Sequence, residues 1–156
     1  MDIINPEAYR IVLGSFPGNI SNMKGEYYSH PSNWFWKLLH INTELSYSEK
    51  MKALADKDIG CWDSLEYCTR LNKLGKETSL DKNIQNQEYN DFKKLLDKDL
   101  YFNGQAAFIE FKNAVKKQNL PFDLEKLSEH ILPSSSGLWH GDFAMRQQIW
   151  NEFFNN

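Results

Sequence analysis

Two short segments of this chain hold the residue types from which a ligand site can be built. In the first, Leu13-Gly14-Ser15-Phe16-Pro17-Gly18 ends the apolar run Ile11-Val12-Leu13 in a glycine–proline turn. Tyr28-Ser29-His30-Pro31-Ser32-Asn33-Trp34-Phe35-Trp36 follows it. Together they set backbone N–H groups, an aromatic face (Tyr28) and one amide side chain (Asn33) at the carboxyl end of a strand, where open α/β sheets bind ligands. A flat, uncharged ligand such as a nucleobase suits that equipment. In the second segment, Pro133-Ser134-Ser135-Ser136-Gly137-Leu138-Trp139-His140, three hydroxyls and a glycine precede two large apolar side chains. Hydroxyls and glycine N–H groups suit phosphate oxygens. An exposed leucine at a loop tip suits insertion between stacked bases. An ordinary Ser/Gly turn, with Leu138 folded onto the core, is an equal alternative.

Structural explanations compete for the other residues too. Asn33 in a first helical turn can simply bond its own backbone. Tyr28 fits a core as well as a pocket, and for Trp34, Phe35 and Trp36 the core is the preferred reading. His30 is read as making a structural hydrogen bond, and His40 and His130 carry no assignment. No Gly-Lys-Ser/Thr follows the first turn, which excludes a P-loop. No Gly-x-Ser-x-Gly elbow is present, and the acidic residues form no metal-ligand pattern. Cys61 and Cys68 are too few for an iron–sulfur cluster and wrongly spaced for zinc, so they read as buried free thiols.

The elements that must position these residues follow from periodicity. Strands are expected near 9–15, 59–65, 99–103 and 129–133. Pro31 suits the first turn of a helix carrying Trp34, Leu38 and Ile41. Ser48 is the expected cap of a helix with Met51, Leu54 and Ala55 on its apolar face. Phe92, Leu95 and Leu96 mark another helix, and Phe108, Phe111 and Val115 line one face of the next. Asp142 is the expected cap of a last helix with Ile149, Trp150 and Phe153. Thr69 to Glu88 reads as a long polar loop, of a kind that is usually functional or mobile. Strands alternating with helices predict a three-layer α/β/α fold around a central, mainly parallel four-stranded sheet.

The 156 residues make a single domain, 1–156, with one substantial core. No run has the roughly 18 apolar residues of a membrane helix, and Met1 to Pro6 does not read as a signal peptide. A cytoplasmic monomer is the expectation. A net charge of −3 argues mildly against nonspecific nucleic-acid binding without excluding a local site. Lys112, Lys116 and Lys117 read as a solvated helix face.

The two segments, taken in order, resemble the uracil-DNA glycosylase superfamily. The resemblance is closest to its hypoxanthine-DNA glycosylase branch (family six) and extends to the mismatch-specific uracil/thymine glycosylases. It rests on Gly14-Ser15-Phe16-Pro17-Gly18, on Tyr28 with Pro31-Ser32-Asn33-Trp34-Phe35-Trp36, and on Leu132-Pro133-Ser134-Ser135-Ser136 before a wedge loop and a terminal helix. Trp62-Asp63, Ser79-Leu80-Asp81, Asn90-Asp91-Phe92 and Asn103-Gly104 look like spacers of the hypoxanthine branch, although the stretch from Cys68 to Ser79 is longer. Phe16 stands where the mismatch-specific enzymes carry a catalytic asparagine.

The resemblance implies a monofunctional DNA glycosylase that excises hypoxanthine or uracil from damaged or mispaired DNA, without a cofactor. Catalysis would fall to Asn33. Gly14, Ser15 and Phe16 would hold the base through backbone N–H groups, and Tyr28 would stack on it. Ser134, Ser136 and Gly137 would clamp phosphates, and Leu138 and Trp139 would act as the wedge. Phe16 keeps a second reading open, a catalytically silent nucleic-acid or base-binding module of the same fold. A third, an enzyme of free mononucleotides, has no use for an exposed Leu138-Trp139 pair.

Overall fold

The computed structural model describes residues 1–70 and 84–155. Its centre is a sheet of β1 (Arg10–Gly14), β2 (Ile59–Asp63), β5 (Asp99–Asn103) and β6 (Ile131–Leu132), in the order β2-β1-β5-β6, with every pair parallel. β3 (Leu65–Arg70) and β4 (Ile84–Tyr89) lie between them in sequence and form a separate antiparallel pair. The helices are α1 (Asn19–Lys24), α2 (Phe35–Leu38), α3 (Tyr47–Asp56), α4 (Gln105–Gln118), α5 (Leu124–Leu127) and α6 (Phe143–Phe154).

Period-two alternation along the strands builds two cores. Ile11, Leu13, Leu100 and Phe102 face a cluster completed by Phe92 and by Phe108, Phe111 and Val115 of α4. Val12, Ile59, Cys61 and Tyr101 face the other, with Phe35 and Leu38 of α2, Leu54 of α3 and Trp150 of α6. Near-continuous burial of β1 and β2 is what a parallel sheet covered on both faces requires. The expected three-layer fold and its four strands are therefore present.

Several local expectations are corrected. The strand expected over 59–65 stops at Asp63, because the chain bends at Ser64 and Leu65 opens the antiparallel pair. The segment Thr69 to Glu88 is not loop throughout: Thr69 and Arg70 end β3 and Ile84 to Glu88 belong to β4. Residues 71–83, including Ser79-Leu80-Asp81, lie outside the described residues. Pro31 precedes the helix rather than opening it, and α2 begins only at Phe35. Ser46, not Ser48, caps α3: its hydroxyl accepts from Glu49 N–H while the Glu49 carboxylate accepts from Ser46 N–H, the reciprocal S-x-x-E box. Phe92–Leu95 is a 3-10 turn. Asp142 caps α6 as expected, accepting from Met145 N–H.

Candidate active site

Because the four central strands are parallel, their carboxyl ends share one edge. That edge carries the Gly14–Gly18 loop after β1, Asp63 at the end of β2, Asn103 at the end of β5 and the Pro133–His140 loop after β6. A cavity of about 510 Å³ opens there, within the usual range of small-molecule sites.

The first loop is oriented by its carbonyls. Gly14 C=O accepts from Ser64 N–H at 2.8 Å and Ser15 C=O from Leu65 N–H at 2.9 Å. Arg70, buried on β3, donates to Phe16 C=O at 2.6 Å and to Pro17 C=O at 2.9 Å, with its guanidinium 5.2 Å from the Phe16 ring centroid. Four successive carbonyls are thus turned toward the β2–β3 bend. A trans peptide points its N–H opposite to the preceding carbonyl, and no peptide in the described chain is cis. The N–H groups of Ser15, Phe16 and Gly18 are therefore aimed away from β3, on a loop that lines the cavity. Gly14 is glycine for lack of room: a Cβ there would lie 2.6 Å from Asp63 Oδ1 and 3.4 Å from the Tyr28 hydroxyl.

Asn33 has a defined amide orientation. Its Oδ1 accepts from Phe35 N–H at 3.0 Å and its own N–H donates to His30 C=O at 2.9 Å. With the oxygen committed to the backbone, the Nδ2 donor is the group left for the cavity. Tyr28 adopts the left-handed region (φ 54°), unusual for a bulky residue, and Trp36 Nε1 fixes it by donating to Tyr28 C=O at 3.1 Å. One face of its ring stacks on Phe35, with centroids 3.8 Å apart and planes 18° apart, and the residue also lines the cavity. Burial, with the neighbouring Cys61 and Asp63, pushes the Tyr28 phenol well above its ordinary pKa, so it is neutral at neutral pH.

The second loop is held at almost every residue. Asn103 grips Ser135 twice: Nδ2 donates to Ser135 Oγ and Oδ1 accepts from Ser135 N–H, both at 2.8 Å. Ser135 C=O accepts from Trp34 N–H at 2.8 Å, which ties the loop to the Asn33 segment. Arg146, only 1% exposed on α6, donates to Ser134 C=O at 3.1 Å and Ser136 C=O at 3.3 Å. Its guanidinium lies among the rings of Phe143, Trp139 and Trp34, at 4.8, 4.9 and 5.2 Å from their centroids. Burial lowers its pKa. Ser134 Oγ accepts from Ser136 N–H and Ser136 Oγ from Leu138 N–H.

The cavity brings together Gly14, Ser15, Phe16, Tyr28, Asn33, Ser134, Ser136, Gly137 and Leu138. Leu138 projects, 62% exposed. Trp139, expected beside it, folds back over Arg146 and meets Phe143 edge-on instead. Phe35 and Trp36 are core as expected, whereas Trp34 is exposed and stacks on exposed Phe143. His30 bonds Ser32 N–H through Nδ1 at 3.1 Å, the structural role expected of it, and also lines the cavity. Cys61 is buried, Cys68 only partly.

Four residues at the site had no role in the sequence reading: Asp63 and Asn103, quoted there only as spacers, and Arg70 and Arg146. The first two end apolar strands, a signal legible in retrospect. The arginines gave none, since nothing in the local pattern of β3 or α6 marks an inward-facing cation. Among the described residues no cluster of His, Cys, Asp or Glu could hold a metal ion, and no helix is long and apolar enough to cross a membrane.

The model of the uracil DNA glycosylase superfamily matches residues 1–154. The chain belongs to that superfamily. Two relatives are named hypoxanthine DNA glycosylase. One, from Methanosarcina barkeri, is 32% identical over 97% of this chain and 94% of its own. The other, from Methanosarcina acetivorans, is 30% identical over 94% and 90%. A G/U mismatch-specific uracil DNA glycosylase of Schizosaccharomyces pombe is 25% identical over 97% of this chain, which spans 51% of that protein. The solution NMR structure of a Methanosarcina acetivorans protein, provisionally described as a uracil DNA glycosylase, superposes with a TM-score of 0.73 at 28% identity. It covers 99% of this chain and 94% of its own. The superfamily's fold thus spans nearly the whole of the present chain, both loops included.

Proposed function

We propose that this protein is a monofunctional DNA glycosylase that removes deaminated bases, hypoxanthine or uracil, from DNA by hydrolysing the N-glycosidic bond. The observation that carries the reading is the Gly14–Gly18 loop, whose carbonyls from Gly14 to Pro17 are occupied on one side so that the N–H groups of Ser15, Phe16 and Gly18 are aimed to the other. Such preorganised donors stabilise negative charge as it develops on a departing base. The superfamily membership and the names of the relatives support the same reaction class.

The flipped nucleotide enters between the two loops. Flipping costs a few kcal/mol, and least for mispaired bases, so mispairing contributes to selectivity. Leu138 fills the gap left in the stack, with exposed Trp34 and Phe143 beside its loop for the duplex to rest against. The free face of Tyr28 stacks on the base, a contact worth about 1–3 kcal/mol in nucleic-acid binders. Gly137 N–H and the hydroxyls of Ser134 and Ser136 meet phosphates.

The bond between the base nitrogen and C1′ breaks with both electrons leaving on the base, and water adds to the sugar carbon. The water's proton is taken up with the departing base, leaving a free base and an abasic sugar. Asn33 works through Nδ2 as a donor to the base or to the oxygen of the water. An amide is no strong base, so the barrier is lowered by electrostatics on a dissociative transition state. Neither loop carries a lysine, and the proposed reaction runs by direct hydrolysis, without a Schiff base and with the strand left intact.

Phe16 gives the silent binding module its foothold, since it lies in the cavity under Arg70 where an amide would serve chemistry. Oligonucleotides carrying uracil, hypoxanthine or xanthine, single-stranded and in each mispair, separate the two readings. The glycosylase leaves sites that break only on alkali treatment. The silent module binds and leaves every strand alkali-stable.

A further inference from the structure

Three rings surround the buried Arg146 guanidinium, and they are not equally spent on covering it. Trp139 is folded onto Gly141 so closely that a Cβ there would collide with it. Trp34 and Phe143 stay 38% and 52% exposed, with centroids 5.9 Å apart and planes 26° apart. Two large rings held nearly parallel at the surface make a flat apolar step. The core does not need them, since Phe35, Trp36 and Trp150 supply it from the same two helices. The step lies on the other flank of the wedge loop from the cavity. Asn33 lines the cavity, whereas its neighbour Trp34 is outside the lining. Ser134 and Ser136 line it too, while their carbonyls accept from Arg146 on the side of the rings. Trp34 N–H donates to Ser135 C=O at 2.8 Å, which ties the step to the loop that presents Leu138.

We propose that Trp34 and Phe143 form a stacking platform for the base left unpaired opposite the lesion. This inference rests on the glycosylase reading and extends its site to the second strand. With the damaged nucleotide drawn into the cavity and Leu138 in its place, the former partner meets the flank of the loop away from the cavity. Having lost its hydrogen bonds, that base still has a π face, and aromatic side chains take any base by that face. The two rings carry one hydrogen-bonding group between them, the Trp34 Nε1–H, so the platform accepts all four bases nearly alike. A base held there cannot re-pair, which prolongs the flipped state. The charge at the step suits DNA as well. Lys37, exposed on α2, sets its ammonium 4.7 Å from the Trp34 centroid in a chain of net charge −3. Lysine is a flexible point charge, so it yields the ring to a base and follows that nucleotide's phosphate.

The test is a double-mutant cycle between ring and base. The probes are duplexes with a tetrahydrofuran abasic analogue opposite each of the four bases, and one duplex with the analogue on both strands. Wild type should bind the four base-containing duplexes within about threefold of one another, and about tenfold tighter than the doubly abasic one. In Trp34→Ala and Phe143→Ala that advantage should shrink to about twofold or less, while Phe143→Tyr, which keeps the ring, retains it. The proposal is overturned if wild type binds the doubly abasic duplex as tightly as the others, or if one opposite base is preferred by about tenfold or more. It is also overturned if the alanine variants lose affinity equally with and without the unpaired base, as rings that merely shield Arg146 would. The wild-type comparison needs no variant, so it decides even where an alanine variant folds poorly. Excision of damaged bases without the ring–base coupling removes this inference alone. The coupling without excision of any base removes the glycosylase reading and leaves the platform.

Discussion

Gly137 rests on Ser32 with no room for another atom between them: a Cβ on Gly137 would stand 2.5 Å from Ser32 Oγ and 2.6 Å from its carbonyl oxygen. The loop that presents Leu138 is thereby seated on the segment that presents Asn33. Gly137→Ala must push the two apart, and overpacking of this kind costs about 1–3 kcal/mol. The melting temperature should fall by about 2–10 °C, and single-turnover excision from duplex DNA should fall about tenfold or more. Thermal melts and base-release rates read the two effects separately; unchanged values in both would mean that the seating is loose.

Arg146 holds the same loop from beneath. Arg146→Met keeps much of the side-chain volume but leaves the carbonyls of Ser134 and Ser136 without their charged donor and the three rings without their cation. Hydrogen bonds to charged groups contribute about 1.5–3 kcal/mol each, against which burial of the cation is a cost. A net loss of about 2 kcal/mol in denaturant unfolding is expected, with a larger relative loss of activity on duplex than on single strands. A variant as stable and as active as wild type would show that the loop is held by Asn103 and Trp34 alone.

Leu138 tests the wedge directly. Its exposure means that Leu138→Ala removes little packing, so stability should stay within about 0.5 kcal/mol. Excision from duplex should drop at least about tenfold while single-strand excision is spared, because an unstacked strand needs no gap filled. Equal losses on the two substrates would make Leu138 an ordinary contact.

Tyrosine burial sets the alkaline limit. Burial raises the phenols of Tyr27 and Tyr28 above their ordinary values, with Asp63 adding to the effect. The unfolded chain releases these protons near pH 10 while the native chain retains them. Stability is therefore unaffected below that pH and falls as pH rises above it. Melts between pH 8 and 11.5 should show the fall, and Tyr27→Phe should flatten it by up to about 1.4 kcal/mol per pH unit above pH 10. Tyrosinate absorbance developing fully near pH 10 in a still-folded protein would contradict it.

Much of this architecture was legible in the sequence. Alternation of apolar strands with amphipathic helices located the sheet, and Gly14, Asn33, Tyr28 and the Ser134–Leu138 loop fall on one cavity because parallel strands place their carboxyl ends together. The missed features depend on contacts distant in sequence. Arg70 bonds Phe16 and Pro17 across more than fifty residues, and Arg146 reaches Ser134 from the far side of a turn. Local periodicity cannot indicate which face of β3 or α6 hides a cation. The Asn33 amide was recognised from its setting, but its polarity follows only from the bond to Phe35 N–H. The antiparallel pair flanking 71–83 is hidden in the sequence because its strands are polar, and Ser46, rather than the expected Ser48, is the cap that the S-x-x-E box names.

Asn33 carries the central claim, and two substitutions separate its roles. Asn33→Ala removes the acceptor for Phe35 N–H together with the donor and should cost about 1 kcal/mol of stability. Asn33→Asp keeps the acceptor and the shape but loses the Nδ2 donor. The decisive measurement is single-turnover base release by Asn33→Asp from the preferred oligonucleotide at saturating protein, beside an unchanged melting temperature. A fall of about a hundredfold or more, the usual loss on removing one preorganised donor at a reacting centre, is the predicted result. Release at the wild-type rate would make Asn33 a local turn-former alone, bonded to Phe35 N–H, and would place the chemistry elsewhere in the cavity.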